Sequence, residues 1–130
     1  MRQAAIIPLA PFGKARPRVT AGHTYMPGSY TKSRAELRTL FGPVTVPPPW
    51  ELYITAVRHM PASWSKKRRA QMAGRWCVSK PDADNIAGAV MDALFDNDAA
   101  VVSVTCRKIW GDDAALEIVI TSPQSPQEEQ

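Results

Sequence analysis

A chain of 130 residues with 45% hydrophobic and 22% charged residues is sized and composed for one globular domain with a real core. Its formal charge of +4 favours a polyanionic partner, and no run approaches the roughly 20 apolar residues of a membrane span. The two cysteines, Cys77 and Cys106, stand in neither a C-x-x-C nor a Cys/His zinc spacing, and the start MRQAAIIPLAPFG is too short and too broken by Pro8 and Pro11 for a secretory signal, so a cytoplasmic protein with reduced thiols is expected.

In chain order, RQAAIIPLA reads as a first strand, with Pro8 at its end or on an edge. TAGHTY, inside KARPRVTAGHTYMP, reads as a turn between two short strands, with Gly22 free to take positive φ. SYTKSRAELRTLF has Leu37, Leu40 and Phe41 at helical spacing and Gly42 as a stop. After VTVPPP breaks the chain, WELYITAVRHM alternates as a strand through Val57. A short helix follows, capped by Ser63 or Ser65 and ended by Gly74. The best-defined helix runs from about Asp84 to Leu94, with Ile86, Ala89, Val90, Ala93 and Leu94 on one face. AAVVSVTCRKIW reads as a long β-branched strand, GDD as a turn and AALEIVI as a final strand, the last two strands forming a hairpin. The expected architecture is a single α/β (α+β) domain over residues 1–121, with two to three helices on a mixed sheet of about four to six strands. Residues 122–130, SPQSPQEEQ, read as a disordered tail.

Charge is unevenly placed. Residues 1–80 carry 14 of the 16 basic residues and only Glu36 and Glu51 among the 12 acids. The acids concentrate in SKPDADNIAGAVMDALFDND, where Asp82, Asp84, Asp92, Asp96 and Asp98 fall within twenty residues. A basic platform beside an acidic site is the pattern of a metal-dependent enzyme acting on nucleic acid. Asp82 and Asp84 share a side in extended chain, Asp92 lies about 80° round the helix from Asp84, and a return of the chain brings Asp98 near Asp82. Clustered carboxylates repel unless a hard cation joins them; Mg²⁺ or Mn²⁺ would do so, acidify a bound water and offset phosphoryl charge. The alternative is that Asp84 caps the helix with Asp82 favouring its positive end, and that Asp96, Asp112 and Asp113 are turn residues.

The ordered blocks KPDADNI, MDAL, NDAAVV and Lys108 resemble the core of RusA-type Holliday-junction resolvases, many of them carried by phages and prophages. That pattern is K-P-D-x-D-N-L-x-K-x-x-x-D-A-L, then D-D-x-Q-V, then a Lys on the following strand. GKARPRVTAGHTYMP is similar to the K-x-R-P-R…Y-x-P run of phage members. The resemblance spans about Lys14 to Ile120. It implies a mixed α/β fold, a homodimer, and Mg²⁺-dependent symmetric nicking of four-way DNA in recombination and repair, with Mn²⁺ able to substitute and no small-molecule cofactor. By position, Asp82, Asp84 and Asp98 match the essential acidic residues that hold metal, Asp92 the further helix acid, Lys80 and Pro81 the start of the motif, Asn85 its Asn and Lys108 the strand Lys. The chain departs where the helix Lys falls on Gly88, where D-D becomes Asn97-Asp98, where the Gln becomes Ala100, and in the short connection FDN, which leaves Asp96 as a rival to Asp98. Lys80 or Lys108 is then a candidate to substitute for the missing helix cation.

Among the bases, Lys14, Arg16 and Arg18 alternate and would share one face as a phosphate clamp; the alternative is a charged edge strand. Lys66, Lys67, Arg68 and Arg69 form the densest run, either a solvated helix face or a DNA contact. Trp64, Trp76 and Trp110 read as packing residues, with base stacking as the other option. His23 and His59 have no ligand spacing. The expected activity is thus Mg²⁺-dependent junction nicking. The rivals are a branched-DNA-binding protein with impaired or absent catalysis, and a structural domain whose aspartates only cap and turn.

Overall fold

The alternation in WELYITAVRH is resolved as expected. In a computed structural model of the chain, which describes residues 1–125, β4 (Trp50–His59) buries Leu52, Ile54 and Ala56 on one side. It is one of two inner strands of a four-stranded sheet with β1 (Arg2–Ile7), β5 (Val101–Gly111) and β6 (Ala115–Thr121), in the order β1–β6–β4–β5. β4 and β5 run parallel, and the other pairs are antiparallel. A separate ribbon pairs β2 (Arg18–Thr20) with β3 (His23–Tyr25). Its turn sets Ala21 and Gly22 at positive φ, the latter at 80°, the region glycine enters without steric cost.

α1 (Gly28–Phe41) and α3 (Ala83–Leu94) cover the same side of the sheet. The five apolar residues expected on α3 are all buried, and full burial of a side chain such as Ile86 contributes about 1.5–3 kcal/mol. On α1, Leu37 and Phe41 are buried, but Leu40 is exposed and Tyr30 is buried instead. α2 (Lys66–Met72) starts at Ser65, whose Oγ accepts from Arg68 N at 3.1 Å. A smaller apolar cluster of Met60, Cys77 and Trp110, with Trp64 and Met72 against it, lies beside α2. Trp64 and Trp110 meet edge to face at 5.0 Å. Ser122–Ser125 have no regular secondary structure, and residues 126–130 of the expected tail lie outside the described residues.

The expected β5–β6 hairpin does not form. β4 lies between the two strands, so GDD carries the chain across the end of β4 instead of reversing it onto β5. A turn signal marks where a chain reverses, not which strand it pairs with. The partner choice follows burial: β4 and β6, with fully buried Leu52, Ile54, Leu116, Ile118 and Ile120, gain most from central positions.

The β4–α3–β5 crossover decides the site. α3 runs back along the parallel pair, so its first turn lies beside the far end of β5. There Cys77 N donates to Lys108 O at 3.0 Å, Trp110 N to Arg75 O at 3.0 Å and Gly74 N to Trp110 O at 2.8 Å. Upstream of these contacts, no described strand pairs with the outer edge of β5, and Val102 and Val104 are exposed along it.

Candidate active site

The segment entering α3 is held from below. Lys108 Nζ reaches up from β5 and donates to Ser79 O at 2.7 Å and Pro81 O at 3.0 Å. Its cation therefore faces the backbone that delivers the first aspartate. From the other side Lys14 N donates to Asn85 O at 2.9 Å. The approach is so close that a Cβ on Gly13 would lie 3.2 Å from Asn85 Cβ.

Asp82 is the N-cap residue of α3, and Asp84 is in its first turn. Neither acts as the expected cap, because the N-cap side chain makes no capping hydrogen bond. Both carboxylate oxygens of Asp82 instead lie 3.0 Å from Lys80 Nζ. Asp84 is exposed and makes no ion pair or side-chain hydrogen bond among the described residues. Two carboxylates thus stand at the positive end of a helix, which favours negative charge there. One is balanced by an exposed lysine and the other, among the described residues, by no cation.

The remaining acids lie elsewhere. Asp92, one further turn past Gly88, accepts from Tyr30 Oη at 2.7 Å and from Arg34 at 3.1 Å, tying α3 to α1. Burial acts to raise its pKa. The bonds from Tyr30 and Arg34 and the charges of Arg34 and Lys14 outweigh that, so its carboxyl titrates below the ordinary aspartate range. Tyr30 is pushed up by burial and by its bond to Asp92, so its phenol stays protonated. Asp96 pairs with Arg38 at 3.2 Å. Asp98 opens a single 3-10 turn, Asp98–Ala100, ahead of β5.

The fold therefore sets Asp82 and Asp84 at the start of α3 but leaves Asp98 beyond its other end. Twelve helical residues separate the ends by about 18 Å, and the Arg38–Asp96 pair lies at the far end. Among the described residues no three His, Cys, Asp or Glu side chains gather closely enough to hold one ion. The expected return of Asp98 to Asp82 within one chain does not occur.

The basic residues divide by what engages them. Arg68 stacks on Trp64 at 4.2 Å from the ring centroid, and Arg69 donates to Pro61 O at 3.0 Å and Trp64 O at 3.3 Å. Lys66 and Lys67 remain exposed beside them. Arg18 lies on β2, whereas Lys14 and Arg16 precede it in irregular chain, so the three do not form one regular strand face. All three are exposed. Trp110 is buried, but Trp76 is 65% exposed on the segment leading to Asp82. Sequence reasoning missed Tyr30 and Arg34 as partners of Asp92; their i, i+4 spacing on α1 was the available signal. It also missed Gly13, for which a lone glycine carries no signal.

The donor chemistry of the Asp82–Asp84 pair fits a hard divalent cation. Mg²⁺ is commonly held by one or two carboxylates, with waters and substrate phosphates completing its shell. Residues 8–121 match the family model described as Endodeoxyribonuclease RusA. Comparison with curated proteins gives no match.

Proposed function

The chain belongs to the RusA endodeoxyribonuclease family, Holliday-junction nucleases that hydrolyse DNA, and we propose that it cuts four-way junctions with Mg²⁺ at the Asp82–Asp84 end of α3. The observation that carries this reading is that neither aspartate caps the helix and that Asp84 has no partner among the described residues. Mg²⁺, or Mn²⁺ in its place, would be held by Asp82 and Asp84 and would supply an acidified water and positive charge at the scissile phosphate. Lys108 fixes the backbone that presents Asp82. Lys80, on an exposed side chain, balances Asp82 before substrate arrives and is then free to turn to a phosphate. Arg16, Arg18, Lys66 and Lys67 extend the positive surface for backbone contacts, with Arg68 and Arg69 shaping the segment that carries the lysines. The free thiols of Cys77 and Cys106 suit action in the cytoplasm of a bacterial host, from a host or phage gene.

Paired cuts call for two sites, and the open edge of β5 supports a C2 dimer. A long strand edge carrying exposed Val102 and Val104 is a template for pairing with another strand. Antiparallel pairing of two such edges would bring the start of one β5 to the far end of the other. Asp98 of the partner subunit would then approach the segment that enters α3, which is how this acid joins Asp82 and Asp84.

A mobile four-way junction with Mg²⁺ tests the reading. Wild-type protein is expected to nick it in paired positions, and Asp82→Asn to lose about 100-fold or more in rate while still binding the junction. Junction binding with no metal-dependent nicks from the wild type would favour a binding protein of this fold, and equal nicking by Asp82→Asn would remove the site from the chemistry.

A further inference from the structure

We infer that Lys14 is a phosphate-contacting residue of the α3 site, laid across the helix in the gap that Gly88 leaves. The inference rests on the reading of Asp82 and Asp84 given above and adds a residue to it. A Cβ at Gly88 would lie 3.4 Å from Lys14 Cδ and 3.6 Å from Lys14 Cβ, so the lysine stem rests directly on the glycine. Residues 13–14 are clamped there. Lys14 N is bonded to Asn85 O at 2.9 Å, and a Cβ on Gly13 would meet Asn85 Cβ at 3.2 Å and Pro81 Cβ at 3.4 Å.

Positions 84, 88 and 92 are successive i, i+4 neighbours on one helix stripe. The stem of Lys14 therefore crosses α3 one turn after Asp84 and one turn before Asp92. A lysine whose stem packs on a surface keeps its ammonium in solvent, and here the stem lies one helix turn from Asp84. The other cations that reach α3 or its entrance are engaged: Arg34 with Asp92, Arg38 with Asp96, Lys80 with Asp82, and Lys108 with Ser79 O and Pro81 O. Lys14 is exposed and, among the described residues, makes no ion pair or side-chain hydrogen bond. Its charge also acts on Asp92, the next position along the stripe from the Gly88 contact. A cation held by its stem on the helix, in no ion pair among the described residues and one turn from a carboxylate that would hold a metal, suits an incoming phosphate oxygen.

Moving the lysine tests this. With a mobile four-way junction and Mg²⁺, Lys14→Ala is expected to nick about tenfold or more slowly. Junction affinity measured without divalent ion should change by less than about threefold, since one phosphate contact among many is lost. The backbone bond to Asn85 survives this substitution, so the melting temperature should stay at the wild-type value. The double variant Lys14→Ala/Gly88→Lys, which stands a lysine on the same stripe from within the helix, is expected to recover nicking to within about threefold of wild type. A folded Lys14→Ala that nicks like wild type overturns the inference, as does a double variant no faster than Lys14→Ala. Either result, obtained while wild type nicks and Asp82→Asn does not, overturns the role of Lys14 alone. A wild type that fails to nick, or an Asp82→Asn that nicks equally fast, overturns the site reading and the inference with it.

Discussion

Replacing Asp92 by Asn separates a structural tie from a metal ligand. Asp92 receives hydrogen bonds from Tyr30 Oη at 2.7 Å and Arg34 at 3.1 Å across the α1–α3 contact, with its side chain 28% exposed. A hydrogen bond to a charged group contributes about 1.5–3 kcal/mol. The amide keeps a neutral acceptor for one donor, and Arg34, 37% exposed, regains water, so the net loss is about 2 kcal/mol. For a domain of this size that lowers Tm by about 5–10 °C, readable by circular dichroism. Burial acts to raise the folded pKa of Asp92, but its bonds to Tyr30 and Arg34 depress it, so its stabilisation is complete above the unfolded value of about 3.9 and is lost as pH falls through the lower folded value. The Tm gap between wild type and Asp92→Asn should therefore be constant from about pH 7 to pH 5 and shrink below about pH 4. Divalent-ion affinity by calorimetry should change by less than about threefold, because Asp92 lies eight residues past Asp84, about 12 Å along α3, with its Oδ2 turned to Tyr30 and Arg34 of α1. An unchanged Tm with divalent affinity lost would refute the argument and return Asp92 to the metal.

The tryptophans should diverge. Trp110→Ala, which empties the cluster with Met60, Cys77 and Trp64, should cost about 3–5 kcal/mol in urea unfolding, whereas Trp76→Ala, 65% exposed, should stay within about 0.5 kcal/mol; equal losses would contradict the burial. Val104→Lys on the open edge of β5 should shift a light-scattering mass from dimer to monomer and reduce paired nicking, since a charge on an edge strand blocks pairing; a wild type that is monomeric while it nicks would remove the proposed dimer.

Local patterns in the chain were sufficient for the elements. The 3.6-residue apolar repeat from Ile86 to Leu94 is a property of neighbouring residues, and all five side chains are buried as it implied. The same holds for the ribbon around Gly22, the cap at Ser65 and the pairing of two aspartates at a helix entrance. Contacts between distant segments required the tertiary structure. That β4 separates β5 from β6 depends on which strands bury most, and that Asp98 stays at the far end of α3 depends on helix length and on the parallel pairing of β5 with β4. Asp92 looked like one more acid until Tyr30 and Arg34 arrived from 62 and 58 residues away. The gap at Gly88 gained meaning only when Lys14 was found lying in it. Periodicity and capping are decided within a few residues of chain, whereas counter-ions and ligand clusters are decided by which segments the core forces together.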